Sequence, residues 1–179
     1  MNANRPRLEY PRGVEESRRR RIAGAAGKAA VGLAIAGGLF GLTVPNYLLF
    51  HSVAELFSII IAAGVFMIAW NSRRFADTKF LNYLGIAYLS IAVLDILHTL
   101  GFKGMGIFLD YDYYANQLWI AARYVESISL LVFISLREDK RKPPKYGTIL
   151  GIYGAVTAGL IASIFVFGIF PECYVEGEG

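Results

Sequence analysis

The 179 residues are 55% hydrophobic and 18% charged, with a mean hydropathy of +0.46, which is too apolar for a soluble domain of this length and points to an integral membrane protein. The 18 Lys and Arg outnumber the 14 Asp and Glu, but they stand in three short clusters between apolar runs and form no patch, so nucleic acid is excluded as a partner. A single cysteine, Cys173, excludes an intramolecular disulfide and a multi-cysteine metal site.

Residues 1–21, MNANRPRLEYPRGVEESRRRR, carry seven Arg, three Glu and two Pro with little to bury, and are expected to be a disordered basic arm in the cytoplasm. The run Arg18 to Arg21 then abuts the membrane. It reads as a topology signal, with attraction to anionic lipid as the alternative. The first span is expected over 22–44, rich in Ala and Gly, with Lys28 near enough to its start to snorkel toward the headgroups. It reads as a retained helix and not a cleaved signal peptide, because its charged flank is long and mixed in sign and no cleavage site precedes the next span.

Pro45 and Asn46 turn the chain into the second span, 46–70, NYLLFHSVAELFSIIIAAGVFMIAW. Its 25 residues suffice to cross a hydrocarbon core of about 30 Å at about 1.5 Å per residue. The acidic or basic side chains within it are His51 and Glu55, four apart and so on one helix face. Such groups inside a membrane are costly unless they face the bundle interior or a wet cavity, which makes them a functional-site signal. Further spans are expected over 80–101, 116–136 and 146–170. The fold class is therefore all-α, a polytopic transmembrane bundle of five spans, with 22–179 as one integral membrane domain.

Lys and Arg set the orientation. Seven precede the first span, Arg73, Arg74 and Lys79 follow the second, and Arg137, Lys140, Arg141, Lys142 and Lys145 follow the fourth, while Lys103 alone lies in a connection on the opposite side. This asymmetry predicts a cytoplasmic N-terminus, a location in the cell's inner membrane and an outward C-terminus. The expected outer segments are acidic and aromatic, as in Asp110, Tyr111, Asp112, Tyr113 and Tyr114.

With that orientation, His51 and Glu55 fall in the outer leaflet. Asp95 and His98, three apart near the outer end of the third span, land at a similar depth. The fourth span adds Gln117, Trp119, Arg123, Glu126 and Ser127, with Arg123 one helical turn from both Trp119 and Glu126. The inner halves of these spans hold no ionisable group except Tyr83 and Tyr88, so a polar, ligand-binding pocket is expected in the outward half above an apolar floor. Three contents suit it. Arg123 could pair with Glu126 or Glu55 and Asp95 could fix a histidine ring, giving a closed network or a small-ligand pocket. His51, Glu55 and His98 could hold a divalent metal. His51 and His98 could instead be axial ligands of a haem b, as in an electron-transfer protein. A small transporter or channel is the remaining class, opposed by the apolar inner halves. No nucleophile elbow, phosphate loop or zinc-protease motif is present, so no catalytic residue is assigned. The GxxxG pairs Gly37 with Gly41 and Gly147 with Gly151 would permit close helix contact.

NYLLFHSVAELFSIIIA, LDILHTLGFKGMGIF, NQLWIAARYVES and FPECYVEG, in this order and spacing, resemble the signature blocks of the third class of membrane-associated sensor domains, the MASE group. The resemblance covers roughly residues 45–179. It implies an N-terminal membrane sensor joined to a cytoplasmic output module; that the signal is a small ligand, an ion or a redox change is expected from the polar pocket and is not carried over from the family. That module would be a histidine kinase of a two-component system or a diguanylate cyclase, often reached through PAS domains; a homodimer is the expected assembly for a receptor of this kind. It also implies that His51, Glu55, His98, Trp119, Arg123 and Glu126 are signature positions. Members of the family continue into further helices, so a chain ending at Gly179 on the expected outer side is expected to be a fragment or a truncated form without a catalytic output of its own.

Overall fold

Each apolar run folds into one helix. The computed structural model describes residues 12–43, 45–74, 79–110, 113–137 and 144–173, and in them the helices are α1 (Arg12–Thr43), α2 (Tyr47–Ser72), α3 (Lys79–Leu100), α4 (Tyr114–Arg137) and α5 (Tyr146–Phe165). All five are long and apolar enough to cross a membrane, and no strand occurs among the described residues. The architecture is the expected all-α polytopic one.

Two boundaries differ from the sequence reading. Helix α1 starts at Arg12, so 12–21 of the expected disordered arm is helical; residues 1–11 lie outside the described residues, as do 138–143 and 174–179. Charge spacing explains the extension: Arg20 donates to Glu16 one turn earlier at 2.8 Å, and Glu15 sits in the first turn, where the helix dipole favours an acid. At the other end α5 stops at Phe165 instead of 170. Gly168, at a φ of 59°, bends the chain back so that the N–H groups of Ile169 and Phe170 both reach the Ser163 carbonyl.

The chain divides into two compact units, Met1–Phe50 and His51–Gly179. The first holds α1 and the start of α2, where the Asn46 side chain caps the helix by accepting from the Leu49 N–H at 3.0 Å. In the second unit α3 is the central element, packed antiparallel to α2 and α4 and against α5. In lipid no hydrophobic drive pulls helices together, so contact depends on close packing through small residues. Ala122 is fully buried beside Ile91, Leu94 and Leu118, and Ala87 is fully buried beside Tyr83 and Phe133. Gly85 does the same for α2, because a Cβ there would lie 2.3 Å from the Cβ of Ala69. Large apolar side chains such as Phe57, Ile60, Met67, Ile128 and Leu131 stay exposed, as lipid-facing positions should.

Candidate functional site between three helices

The site forms where the C-terminal part of α3 meets the first halves of α2 and α4. His98 lies close to the end of α3, and its Nδ1 is 2.8 Å from the carbonyl oxygen of Ala115 on α4. A carbonyl only accepts, so Nδ1 carries a proton, and the tautomer of the neutral ring selected here has its lone pair on Nε2. That Nε2 is 3.7 Å from Oε1 of Glu55 on α2, too long for a hydrogen bond but close enough for a shared ion. The His51 ring stands edge-on to the His98 ring with centroids 5.3 Å apart, and Phe102 covers it at 4.0 Å. The ligand atoms of His51, Glu55 and His98 all lie within 4.8 Å of one another.

A second group adjoins the first. Asp95 is buried, one turn before His98, and both its carboxylate oxygens lie 3.0 Å from Nη2 of Arg123. Nη1 of the same guanidinium donates to Glu126 at 2.7 Å, and the Tyr88 hydroxyl donates to the other oxygen of Glu126 at 3.2 Å. Arg123 thus bridges two carboxylates, one on its own helix and one on α3. Its Nε is buried with no hydrogen-bond partner among the described residues, which leaves one donor for a ligand oxygen or a water.

Beside these groups an open cavity of about 240 Å³ is lined by Glu55, Ser58, Ile61, Ala62, Tyr88, Ile91, Asp95, Trp119, Arg123 and Glu126. That volume falls below the roughly 300–1,000 Å³ of drug-sized ligand pockets, so its size suits an ion, a few waters or a small organic molecule. A haem fits poorly. His51 and His98, the two histidines of the chain, touch each other edge to ring at 5.3 Å, leaving no gap for a porphyrin plane between them.

All seven residues singled out in the sequence, His51, Glu55, Asp95, His98, Trp119, Arg123 and Glu126, meet in this region, in two groups that Glu55 joins. Several details differ from expectation. Asp95 is held by Arg123, and the His98 ring is fixed by a backbone carbonyl. Gln117 turns away from the site, its Nε2 donating to the carbonyls of Phe170 and Pro171 at 3.2 Å each and tying the chain after α5 to α4. The polar layer also reaches deeper: Tyr88 and Glu126 each lie twelve residues from the helix ends at the α3–α4 connection, about 18 Å along the axis. Below them the floor is less oily than expected, because Ser129 accepts from Tyr153 at 2.6 Å and Asn82 donates to Tyr146 at 3.2 Å.

The sequence reading missed Tyr88 and Ser58 as members of the site. Tyr88 stands seven residues before Asp95 and Ser58 three after Glu55, spacings that keep each on the face of its acidic neighbour. A face-by-face reading of α2 and α3 would have found both.

A family model described as a membrane-associated sensor domain, MASE3, matches residues 42–179. No curated protein and no solved structure matches the chain significantly.

Proposed function

The chain belongs to the MASE3 family of membrane-associated sensor domains, and from that premise we propose that the polar cavity between α2, α3 and α4 is where its stimulus is read. The observation that carries the reading is the convergence of Glu55, Asp95, Glu126, Arg123 and Tyr88 on one small open cavity. Ionisable groups are expensive in a membrane and collect there where a ligand, an ion or a proton is handled.

The stimulus is a small polar ligand or an ion that reaches the cavity from the extracytoplasmic face. The Lys and Arg asymmetry supports that orientation, with the α3–α4 connection outside and the chain in the inner membrane. An occupant that binds one packing of α2, α3 and α4 better than another shifts the balance between them. Helix α3 is suited to carry the shift: Asp95 and His98 belong to the site near one end, while near the other Tyr83 donates to the Pro144 carbonyl ahead of α5 at 2.8 Å. A cytoplasmic output module, in a homodimer, would read that change.

The test measures stimulus-dependent output in the full-length signalling protein that carries this domain, with membrane levels followed by immunoblot. Asp95→Asn, Glu126→Gln and His98→Ala should each abolish or lock the response at normal membrane levels. An unaltered response in all three overturns the reading.

A further inference from the structure

We propose that His51, Glu55 and His98 form a three-ligand site for a divalent transition-metal ion of the zinc type. Two imidazoles and one carboxylate are an established ligand set for zinc, with a fourth position left to water or an exogenous ligand. The site stands on its own geometry whether or not the adjoining cavity reads the stimulus.

Position comes first. His51 and Glu55 lie one turn apart on α2, and α3 brings His98 against them, so ligand atoms from two helices already lie within 4.8 Å of one another. Ligands on tetrahedral zinc are separated by about 3.3 Å, given bonds of about 2.0–2.1 Å. Nε2 of His98 and Oε1 of Glu55, at 3.7 Å, are nearly at that spacing. The widest ligand separation exceeds that spacing by about 1.5 Å at most, a gap of the size that side-chain rotation covers.

The surroundings add three features. The Ala115 carbonyl holds the proton of His98 on Nδ1, so Nε2 faces Glu55 in the tautomer a metal requires; a backbone carbonyl on the far nitrogen is the usual orienting partner of a ligating histidine. Phe102 against the His51 ring supplies an apolar wall. Charge supplies a reason to bind a cation. Glu55, Asp95 and Glu126 against Arg123 leave the residues lining the cavity at a formal net of two negative charges. A divalent ion balances that sum, and in a membrane interior an uncompensated pair of charges is costly. The cavity beside Glu55 gives the ion its open position and a route for a fourth ligand.

The experiment uses the full chain, free of any affinity tag, in lipid nanodiscs, titrated with Zn²⁺ alone against a chromophoric chelator and with Co²⁺ followed by its visible ligand-field bands. One ion per chain is expected, with a cobalt spectrum of low coordination number and no thiolate charge-transfer band. His51→Ala and His98→Ala should weaken zinc binding by at least about 100-fold. Glu55→Gln, which keeps the shape of the side chain, should do the same with unchanged helicity, so that a folding defect in either histidine variant leaves the answer intact. Zinc uptake that is absent from the wild type, or equal in wild type and Glu55→Gln, overturns the site. Because the readout is metal binding and not signalling, it can fail while the cavity still reads a stimulus, and the reverse.

Discussion

Nη2 of Arg123 on α4 lies 3.0 Å from both carboxylate oxygens of Asp95 on α3, so a charged pair ties the two helices together. Asp95 is 3% exposed, so it depends on the guanidinium for compensation. Arg123→Gln should therefore destabilise the bundle by about 3–5 kcal/mol, the usual cost of stranding a buried charge. Arg123→Lys should recover only part of this, since one ammonium cannot serve Asp95 and Glu126 together with the geometry of a planar fork. The double variant Arg123→Gln with Asp95→Asn should cost less than the sum of the two singles, because the stranded charge is gone. Unfolding in mixed detergent micelles measures all four proteins. Additive costs would mean that the two side chains do not act as a pair.

Gly85 and Ala69 set how closely α2 approaches α3. A Cβ at position 85 would meet the Ala69 Cβ at 2.3 Å, and because an alanine Cβ has no rotamer to swing away, the helix backbones would have to move apart. Gly85→Ala should cost about 1–3 kcal/mol from overpacking, despite the better helix propensity of alanine. Adding Ala69→Gly in the same chain should return most of the loss. If the second change rescues nothing, the helices are not in contact there.

These two relationships also show what the sequence could and could not disclose. Hydropathy and length revealed the five spans, since a helix long enough to cross a bilayer leaves a continuous apolar run. Helical spacing put His51 with Glu55, Asp95 with His98, and Arg123 with Glu126, because each pair lies within one helix and follows from a period of 3.6 residues. Pairing between helices was another matter. Whether Arg123 reaches Asp95 or Glu55 depends on the rotation of α4 about its axis, and no local pattern encodes that. Gly85 sits in an unremarkable LNYLGIAY, whereas the GxxxG pair Gly147 and Gly151 has nothing within 4 Å of an added Cβ among the described residues. Small-residue motifs permit close contact without stating where it happens.

Tyr83 joins α3 to the start of α5. Its hydroxyl donates to the Pro144 carbonyl at 2.8 Å, and its ring packs on Tyr146 and Phe133 at 5.6 and 5.9 Å. Tyr83→Phe removes the hydrogen bond alone and should cost about 1 kcal/mol. Tyr83→Ala also empties a buried ring site, 5% exposed, and should cost about 3–5 kcal/mol. If α3 transmits the state of the cavity, Tyr83→Phe should also shift the stimulus dependence of the output without changing zinc binding. Equal stability losses in the two variants would count against the ring packing.

Cys173, the single cysteine of the chain, tests the orientation. It lies beyond α5, and its Sγ–H donates to the Pro171 carbonyl at 3.2 Å. Burial holds its thiol above the usual range, because desolvation disfavours the thiolate. Only the thiolate attacks an alkylating reagent, and a raised pKa means less of it at a given pH than in the unfolded chain. Alkylation of the folded protein should accordingly rise with pH along a curve displaced upward from that of the denatured protein, and denaturant should speed the reaction at neutral pH. With the N-terminus in the cytoplasm and five spans, a membrane-impermeant maleimide added to intact cells stripped of their outer barrier should label Cys173. Labelling that needs the membrane to be opened first would put Cys173 and the cavity on the cytoplasmic side, and the stimulus would then come from within the cell.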